Sequence, residues 1–352
     1  MVEHGGNVYG YNKKLIDFSS NISPLGLQPE LKKAIEESIP DVVRYPDPDC
    51  RALREAVAKR ENVLPSQVIC GSGAADIIFQ SVLAERPKRA LLAAPCFSEY
   101  EQALKAFGTD IVFYQMKEEN GWRLLDDYLD YIVPETGMLF LCNPNNPTGI
   151  TINDNLLDMI LERAYKSGVR VVLDECFCDF LDCPEKHSKY RYLSKYPNMM
   201  ILKSFTKMYS LPGLRIGYGL CSDSGFIKRI ESVRQPWSVS GPAQAAGIAA
   251  AGMAGIPAKT RAAVSKERDF LCRALRSLNI KYTKPEANYV FFHSRCGLKE
   301  WLLTYGFLIR DCSNYTGLDT GYYRIAVRKH DENAVFVRAL KKIWRDEPWQ
   351  NL

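Results

Sequence analysis

The sequence has no long hydrophobic run. Its most apolar extended stretch, residues 242–257, is short and rich in alanine and glycine, whereas a helix that spans a membrane needs about 20 mainly apolar residues. We interpret this stretch as a close-packed helix. The first residues, MVEHGGNVYGYNKK, also lack the charged segment and apolar run of a secretory signal. We therefore expect neither export nor a membrane partner.

A large excess of one charge is also missing. The chain has 46 Lys and Arg against 41 Asp and Glu, a net charge of +5, and its basic residues are scattered among acidic ones. Proteins that bind nucleic acids usually gather basic residues on one face, so we expect no nucleic-acid partner. The small positive surplus suits an anionic small molecule.

The eleven cysteines form no repeating frame, and an odd number cannot all be paired within one chain. Reduced thiols in the cytoplasm are the simplest interpretation. Cys176, Cys178, Cys183 and His187 could be drawn as a zinc site. Because the first two follow an apolar strand at alternating positions, we favour buried or incidental thiols and predict no metal.

Short apolar runs alternate with amphipathic stretches of helical length from residue 68 onward. The runs begin near residues 68, 90, 111, 138, 169 and 199. Most are apolar on both faces, which is typical of parallel strands covered by helices on both sides. After Gly241 a long helical segment and strands such as NYVFFH indicate a smaller α+β lobe. We predict an α/β protein with an N-terminal segment over residues 1–40, a large domain over 41–240 and a small domain over 241–352.

Polar groups follow several predicted strands at the point where each strand ends. Lys207 precedes a bend rich in glycine and proline, and Asp174 ends a strand that is apolar on both faces. The stretch CGSGAAD leads into a helix whose N-terminus could hold a phosphate, and CNPNNPTG would direct an asparagine amide over the sheet. Each feature alone also suits an ordinary turn or a surface charge. Together they predict a pocket at one edge of the sheet.

The order and spacing of these motifs resemble a known family. Asn146 in NPNNPTG is followed 28 residues later by Asp174 and another 33 residues later by Lys207 in SFTKMYSLPGLRIGY. This pattern resembles the fold-type I pyridoxal-phosphate enzymes of the aspartate aminotransferase superfamily, class I and II, over nearly the whole chain. The resemblance implies the aspartate aminotransferase-like fold, with a mostly parallel central sheet in the large cofactor-binding domain.

The resemblance also implies roles for the motif residues toward pyridoxal 5′-phosphate. Lys207 forms the Schiff base, Asp174 pairs with the protonated pyridine nitrogen and Asn146 bonds the phenolic oxygen. Phe97 stacks on the ring. The residues implied to hold the cofactor phosphate are Gly73, Ala74, Ala75, Ser204, Thr206 and Arg215. Tyr45 in RYPDP would reach the phosphate of a neighbouring subunit, which implies a homodimer with shared sites.

Two branches of the family fit best: L-threonine-O-3-phosphate decarboxylase, a step in cobalamin biosynthesis, and histidinol-phosphate aminotransferase, a step in histidine biosynthesis. The opening HGGNVYGY and DFSSNISPLG resemble the decarboxylase branch, and Phe177 stands where the aminotransferase branch has a tyrosine. Arg324 matches the arginine that holds a substrate carboxylate. Further residues expected to bind a phosphorylated amino-acid substrate are His4, Asn21, Arg310 and Arg328.

The two branches differ in which bond at the substrate α-carbon stands perpendicular to the cofactor ring. An upright carboxylate leads to decarboxylation, and an upright hydrogen leads to transamination, so the decarboxylase is our first expectation and the aminotransferase our second. A third alternative is a binding or regulatory protein that keeps only the fold. The presence of Lys207, Asp174 and Asn146 argues against it.

Overall fold

A seven-stranded sheet forms the centre of the protein, whose computed structural model describes residues 4–346. The strands of this sheet are β2 Val68–Gly71, β3 Arg89–Ala94, β4 Asp110–Gln115, β5 Met138–Cys142, β6 Arg170–Asp174, β7 Met199–Ser204 and β8 Gly217–Cys221. Their order is β2-β8-β7-β6-β5-β3-β4. All neighbours run parallel except β8, which is antiparallel to both β2 and β7.

The other six strands coincide with the apolar runs of the sequence, whereas β8 lies in the segment predicted as a bend after Lys207. This strand contains Gly217 and Gly219, which are uncommon in strands. A Cβ on Gly219 would lie 2.9 Å from Ile69 Cγ2 and 3.2 Å from Met200 Sδ. Glycine is required there by close approach to neighbouring strands, which a local pattern does not reveal.

Helices cover both faces of this sheet. They are α1 Pro29–Ser38, α2 Arg51–Glu61, α3 Ala74–Glu85, α4 Ser98–Ala106, α5 Asp154–Lys166, α6 Pro184–His187, α7 Phe205–Met208, α8 Ser224–Val233 and α9 Gly241–Gly252. Every residue of β5 and β6 is buried, because both strands lie between helix layers. This explains their continuous apolar sequence.

Helix α5 shows how the sequence sets these helices. The Asn153 side chain accepts hydrogen bonds from the backbone N–H groups of Asn155 and Leu156, which caps the first turn. Its buried side chains are Leu156, Leu157, Ile160, Leu161 and Ala164. That spacing places one apolar face against the sheet.

The rest of the chain forms a smaller unit around a four-stranded antiparallel sheet of order β12-β13-β10-β9. Its elements are α10 Gly255–Ser277, β9 Lys281–Tyr282, β10 Tyr289–His293, α11 Leu298–Thr304, β12 Arg310–Asp311, β13 Tyr322–Ala326 and α12 His330–Asp346. Strand β1 Ile16–Asp17 pairs in parallel with β11 Phe307–Leu308, whereas α1 packs on α9. The domain limits near residues 40 and 240 remain predictions.

No helix between residues 4 and 346 combines the length and the apolar character needed to cross a bilayer. The alanine-rich stretch that the sequence analysis singled out forms α9 and the start of α10.

Candidate active site

A cavity of about 240 Å³ opens at the carboxyl ends of the central strands. It lies between the large sheet, the small domain and the N-terminal segment. The residues that we predicted for the site and that line this cavity are His4, Asn21, Ala74, Ala75, Phe97, Asn146, Asp174, Phe177, Ser204, Thr206, Lys207, Arg215, Arg310 and Arg324. The fold therefore gathers groups from both domains and from the N-terminus around one space.

Lys207 lies in the short helix α7, directly after β7, and its amine faces the cavity. Burial and then the positive charge of Arg324 lower the pKa of this amine to about 8, with Arg215 acting in the same direction. The amine lies 6.0 Å from the centre of the Phe177 ring. Because a lower pKa increases the neutral fraction of an amine at neutral pH, Lys207 is suited to attack an aldehyde.

Asp174 ends β6 and is 5% exposed. Its carboxylate accepts a hydrogen bond of 2.6 Å from the Tyr100 hydroxyl and one of 2.9 Å from the backbone N–H of Cys176. Burial and the negative charge of Asp174 raise the pKa of Tyr100 well above its usual value, so the phenol stays a donor. Both partners are uncharged, and the carboxylate can therefore neutralise a cation brought by a ligand, such as a protonated pyridine nitrogen.

An anion site lies at the N-terminus of α3. Gly73 precedes this helix with a φ of +84°, a conformation that favours glycine. The first N–H groups of a helix have no partner within it, and the helix dipole adds positive potential. A guanidinium nitrogen of Arg215 lies 2.7 Å from where a Cβ on Gly73 would stand. Gly73 itself does not line the cavity, but it directly precedes Ala74 and Ala75, which do.

Hydroxyl groups complete the same end of the cavity. Ser204 caps α7 by accepting a hydrogen bond from the backbone N–H of Thr206, at 3.1 Å. The hydroxyls of both residues donate to the carbonyl oxygen of Ile216, at 3.4 and 3.5 Å. These are long bonds, so the hydroxyls can turn toward a phosphate. The residues present therefore fit the phosphate, the ring nitrogen and the aldehyde of pyridoxal phosphate.

Gly217 packs against the backbone of Gly73 and Ala74, where α3 begins. A Cβ at this position would lie 2.6 Å from the backbone nitrogen of Ala74 and 2.9 Å from the carbonyl carbon of Gly73.

We expect Gly217→Ala to weaken binding of pyridoxal phosphate about tenfold or more, since overpacking typically costs about 1–3 kcal/mol. Fluorescence titration of the cofactor-free protein measures this. Gly213→Ala, with no atom within 4 Å of its Cβ, is the matched control, and equal affinities for the two variants would refute the expectation.

Arg324 and Asn146 contact each other in this structure. A guanidinium nitrogen of Arg324 donates to Asn146 Oδ1, and another donates to the carbonyl oxygen of Ser19 at 2.8 Å. The sequence analysis assigned Asn146 to the cofactor and Arg324 to the substrate without linking them. Arg324 Nε and Asn21 Oδ1 are buried and have no hydrogen-bond partner among residues 4–346. Both residues line the cavity, so a ligand can supply the missing partners.

Arg310 lines the cavity from the small domain and is 3% exposed. It donates to Asn314 Oδ1 at 2.6 Å, and its guanidinium carbon lies 5.0 Å from the centre of the Tyr315 ring. Phe97 contacts the Tyr100 ring edge-on at 5.6 Å. Phe177 packs in the same way against Tyr289, at 5.1 Å.

Two predicted residues lie away from the cavity. The Arg328 guanidinium donates to Glu332, four residues later in α12, at 3.0 Å, so nothing in its position supports a contact with the substrate phosphate. Tyr45 is 80% exposed and stacks on Trp237, with ring centres 4.6 Å apart. Its predicted role requires a second subunit.

Sequence reasoning missed two residues of the motif APCFSEY, of which it used only Phe97. Tyr100 supports Asp174, and Glu99 lines the cavity. Their position in the first turn of a helix after a strand is the signal that could have drawn attention to them. The four residues considered as a zinc site do not form one, because residues 4–346 contain no cluster of three or more His, Cys, Asp or Glu side chains suited to a metal.

Comparison with known proteins agrees with this geometry. The family model described as aminotransferase class I and II matches residues 13–340. Threonine-phosphate decarboxylase of Salmonella typhimurium is 36% identical over 97% of this chain and 96% of its own length. Histidinol-phosphate aminotransferase of Methanosphaera stadtmanae is 32% identical over 94% of this chain and 91% of its own length.

Solved structures show the same two similarities. The histidinol-phosphate aminotransferase of Clostridium acetobutylicum has a TM-score of 0.88 and 27% identity, covering 95% of this chain and 100% of its own. The L-threonine-O-3-phosphate decarboxylase of Porphyromonas gingivalis has a TM-score of 0.81 and 28% identity, covering 93% and 98%. The fold and family expected from the sequence are confirmed. The chain therefore belongs to the aminotransferase class I and II family of enzymes, and its cofactor is pyridoxal 5′-phosphate.

Proposed function

We propose that the protein decarboxylates L-threonine O-3-phosphate to (R)-1-amino-2-propanol O-2-phosphate and carbon dioxide, a step in cobalamin biosynthesis. The observation that carries this proposal is a cavity with two arginines besides Arg215. Arg310 and Arg324 lie opposite each other on paired strands of the small domain, and both line the cavity together with His4. A substrate that carries both a carboxylate and a phosphate matches this arrangement.

The relatives support the same choice. Two threonine-phosphate decarboxylases, the second described as putative, are 36% and 34% identical to this chain. Three histidinol-phosphate aminotransferases are 31–33% identical. A bifunctional protein of adenosylcobalamin biosynthesis is 30% identical over 98% of the chain.

Arg324 would hold the substrate carboxylate from the small domain, and Asn21 would help to orient the substrate beside it. When bound, pyridoxal phosphate supplies an electron sink for the pair left at the α-carbon. The Lys207 amine or a water would supply the proton that replaces the carboxylate at the α-carbon when carbon dioxide leaves. Asp174 would provide the negative charge beside the ring nitrogen.

Phe177 adds an argument from the nature of its side chain. It lines the cavity at the position where the aminotransferase branch has a tyrosine. A phenyl ring cannot donate a hydrogen bond to the cofactor's phenolic oxygen. The environment of that oxygen should therefore differ from the one in a transaminase.

Histidinol-phosphate aminotransferase is the second candidate, favoured by the TM-score of 0.88 to a structure of that enzyme. To separate the two, the protein with bound cofactor is given O-phospho-L-threonine, and separately histidinol phosphate with 2-oxoglutarate. Release of carbon dioxide from the first supports the decarboxylase. Formation of glutamate from the second, without carbon dioxide from the first, overturns it in favour of the aminotransferase. Neither product from a protein that holds its cofactor would favour a binding or regulatory role.

We further propose that the protein acts as a homodimer in the cytoplasm. All eleven cysteines are free, which agrees with a reducing compartment. Val42 and Val43, next to Tyr45 and Trp237, are 57% and 86% exposed. Exposed apolar groups in one place are typical of an interface, and Tyr45 is the residue proposed to reach the partner's cofactor phosphate.

Tyr45→Phe tests the shared site. It keeps the stacked ring but removes the hydroxyl, and a hydrogen bond to a charged group contributes about 1.5–3 kcal/mol. We expect the dissociation constant of the cofactor to rise about tenfold, as measured by titration of the cofactor-free dimer. Tyr165→Phe, also exposed and located on α5, is the control. Unchanged affinity in Tyr45→Phe would remove the cross-subunit role.

A further inference from the structure

We propose that Glu99 is a positioning residue that holds the His4 imidazole in place to bind the substrate phosphate. The inference deepens the proposed function, but it rests only on the substrate carrying a phosphate, a property that both candidate substrates share. Nothing in the family motifs of the sequence pointed to Glu99.

Glu99 contacts His4 at the mouth of the cavity. His4 Nδ1 lies 3.3 Å from Glu99 Oε1, and both residues line the cavity. The Glu99 side chain is 14% exposed, whereas that of His4 is 45% exposed. The less exposed member of the pair lies on α4 of the large domain, and the more exposed member lies in the N-terminal segment.

The surroundings of Glu99 keep its carboxylate aimed at His4. Glu99 lies in the first turn of α4, where the helix dipole favours a negative charge. The Ser98 hydroxyl donates to Glu99 Oε2 at 3.1 Å, which leaves Oε1 for the imidazole. Burial raises the pKa of Glu99, while the nearby charges of His4 and Lys207 act in the opposite direction.

A carboxylate beside one ring nitrogen of a histidine influences whether the other nitrogen can donate a hydrogen bond. With Nδ1 facing Glu99 Oε1, Nε2 is the ring nitrogen left for a ligand, and in the protonated ring it is a donor. A bare carboxylate at this place would repel a phosphate. Glu99 is therefore compatible with an anionic substrate only because His4 stands between them. The same arrangement of carboxylate, imidazole and ligand orients histidines in many sites.

The backbone holds His4 from the other side. A Cβ on Gly5 would lie 2.2 Å from the carbonyl oxygen of Ser19, and the backbone N–H of Gly6 donates to Ser19 Oγ at 2.7 Å. The same Ser19 carbonyl accepts from Arg324. Residues 4–6 are thus packed onto the part of the chain that also positions the carboxylate-binding arginine. This close approach explains Gly5, whereas a φ of +87° explains Gly6.

The experiment compares the holoenzyme with Glu99→Gln, His4→Gln and the double variant. We expect each single variant to raise KM for O-phospho-L-threonine about tenfold while kcat changes little. The inhibition constant of L-threonine, which has no phosphate, should stay as in the unaltered enzyme. The double variant should be no worse than His4→Gln alone, because both changes remove one contact. Glu119→Gln, an exposed residue paired with Lys117, is the control.

Gly5→Ala tests the packing of the segment, because its Cβ would lie 2.2 Å from Ser19 O and 3.4 Å from Arg324 Nη2. It should raise KM and also weaken L-threonine, whereas Gly10→Ala, with no atom within 4 Å of the added Cβ, should change neither. The proposal is overturned if Glu99→Gln leaves KM unchanged, lowers kcat alone, or weakens L-threonine equally. If the enzyme is instead the aminotransferase, KM for histidinol phosphate is compared with the inhibition constant of histidinol in the same variants. The proposal for Glu99 and the proposed reaction can therefore fail separately.

Discussion

Lys207→Ala is expected to lower turnover at least about a thousandfold, since it removes both the amine that binds the cofactor and the group that moves the proton. The amine lies at the end of β7, inside the cavity, with its pKa lowered to about 8 by burial and by Arg324. No other lysine lines this cavity among residues 4–346. No second lysine amine among the described residues can therefore take its place in this cavity.

Two measurements check this result. The first is the rate of product formation. The second is reduction of the cofactor-bound protein with borohydride, followed by mass spectrometry, which should tag the peptide that contains Lys207. Lys105→Ala, an exposed residue paired with Glu101 at 2.5 Å, should keep both the tag and the activity. Full activity or an unchanged tag in Lys207→Ala would contradict the assignment of this residue.

Asp174→Asn is the change with the second largest expected effect. It keeps the shape of the side chain and can keep the bond from the Tyr100 hydroxyl, but it removes the negative charge. We expect kcat to fall about a hundredfold to a thousandfold, the range for loss of one electrostatic partner in a site that excludes water. The cofactor ring would lose the partner that keeps its nitrogen protonated.

Tyr100→Phe separates the charge of Asp174 from its orientation. This variant removes the 2.6 Å hydrogen bond but leaves the carboxylate and its bond to the Cys176 N–H. We expect a loss of about tenfold, the value of one hydrogen bond to a charged group. If Asp174→Asn lost no more than Tyr100→Phe, the carboxylate would serve only to hold the phenol.

Local motifs sufficed to find most of the large domain and most of the cavity. The parallel strands of this domain are buried on both faces, so their apolar runs stand out in the sequence. The short antiparallel β8 did not, because its glycines serve contacts with strands that are distant along the chain. Arg328 was predicted because the aminotransferase branch usually has no arginine four residues beyond Arg324; in the structure its guanidinium pairs with Glu332.

The contacts among Arg324, Asn146 and Ser19 illustrate what a motif search cannot reach. These residues come from the small domain, the large domain and the N-terminal segment, and they meet only when all three pack together. The pair of His4 and Glu99 is of the same kind. Both contacts join residues that are far apart in the chain, and no local spacing encodes them.

The sequence by itself determined the family and the cofactor, and it predicted which polar groups meet at one sheet edge, because a strand followed by a tight turn delivers its polar residue to that edge wherever it occurs. Only the tertiary structure decided that Asp174 is bonded to two uncharged donors, the Tyr100 hydroxyl and the Cys176 N–H, so that its charge stays available. The contact of Glu99 with His4 was likewise decided by the tertiary structure. The reason is that hydrogen bonding and burial depend on packing between distant segments. The motifs contain the polar groups themselves, whereas the burial and hydrogen bonds that change their properties form only when the segments pack together.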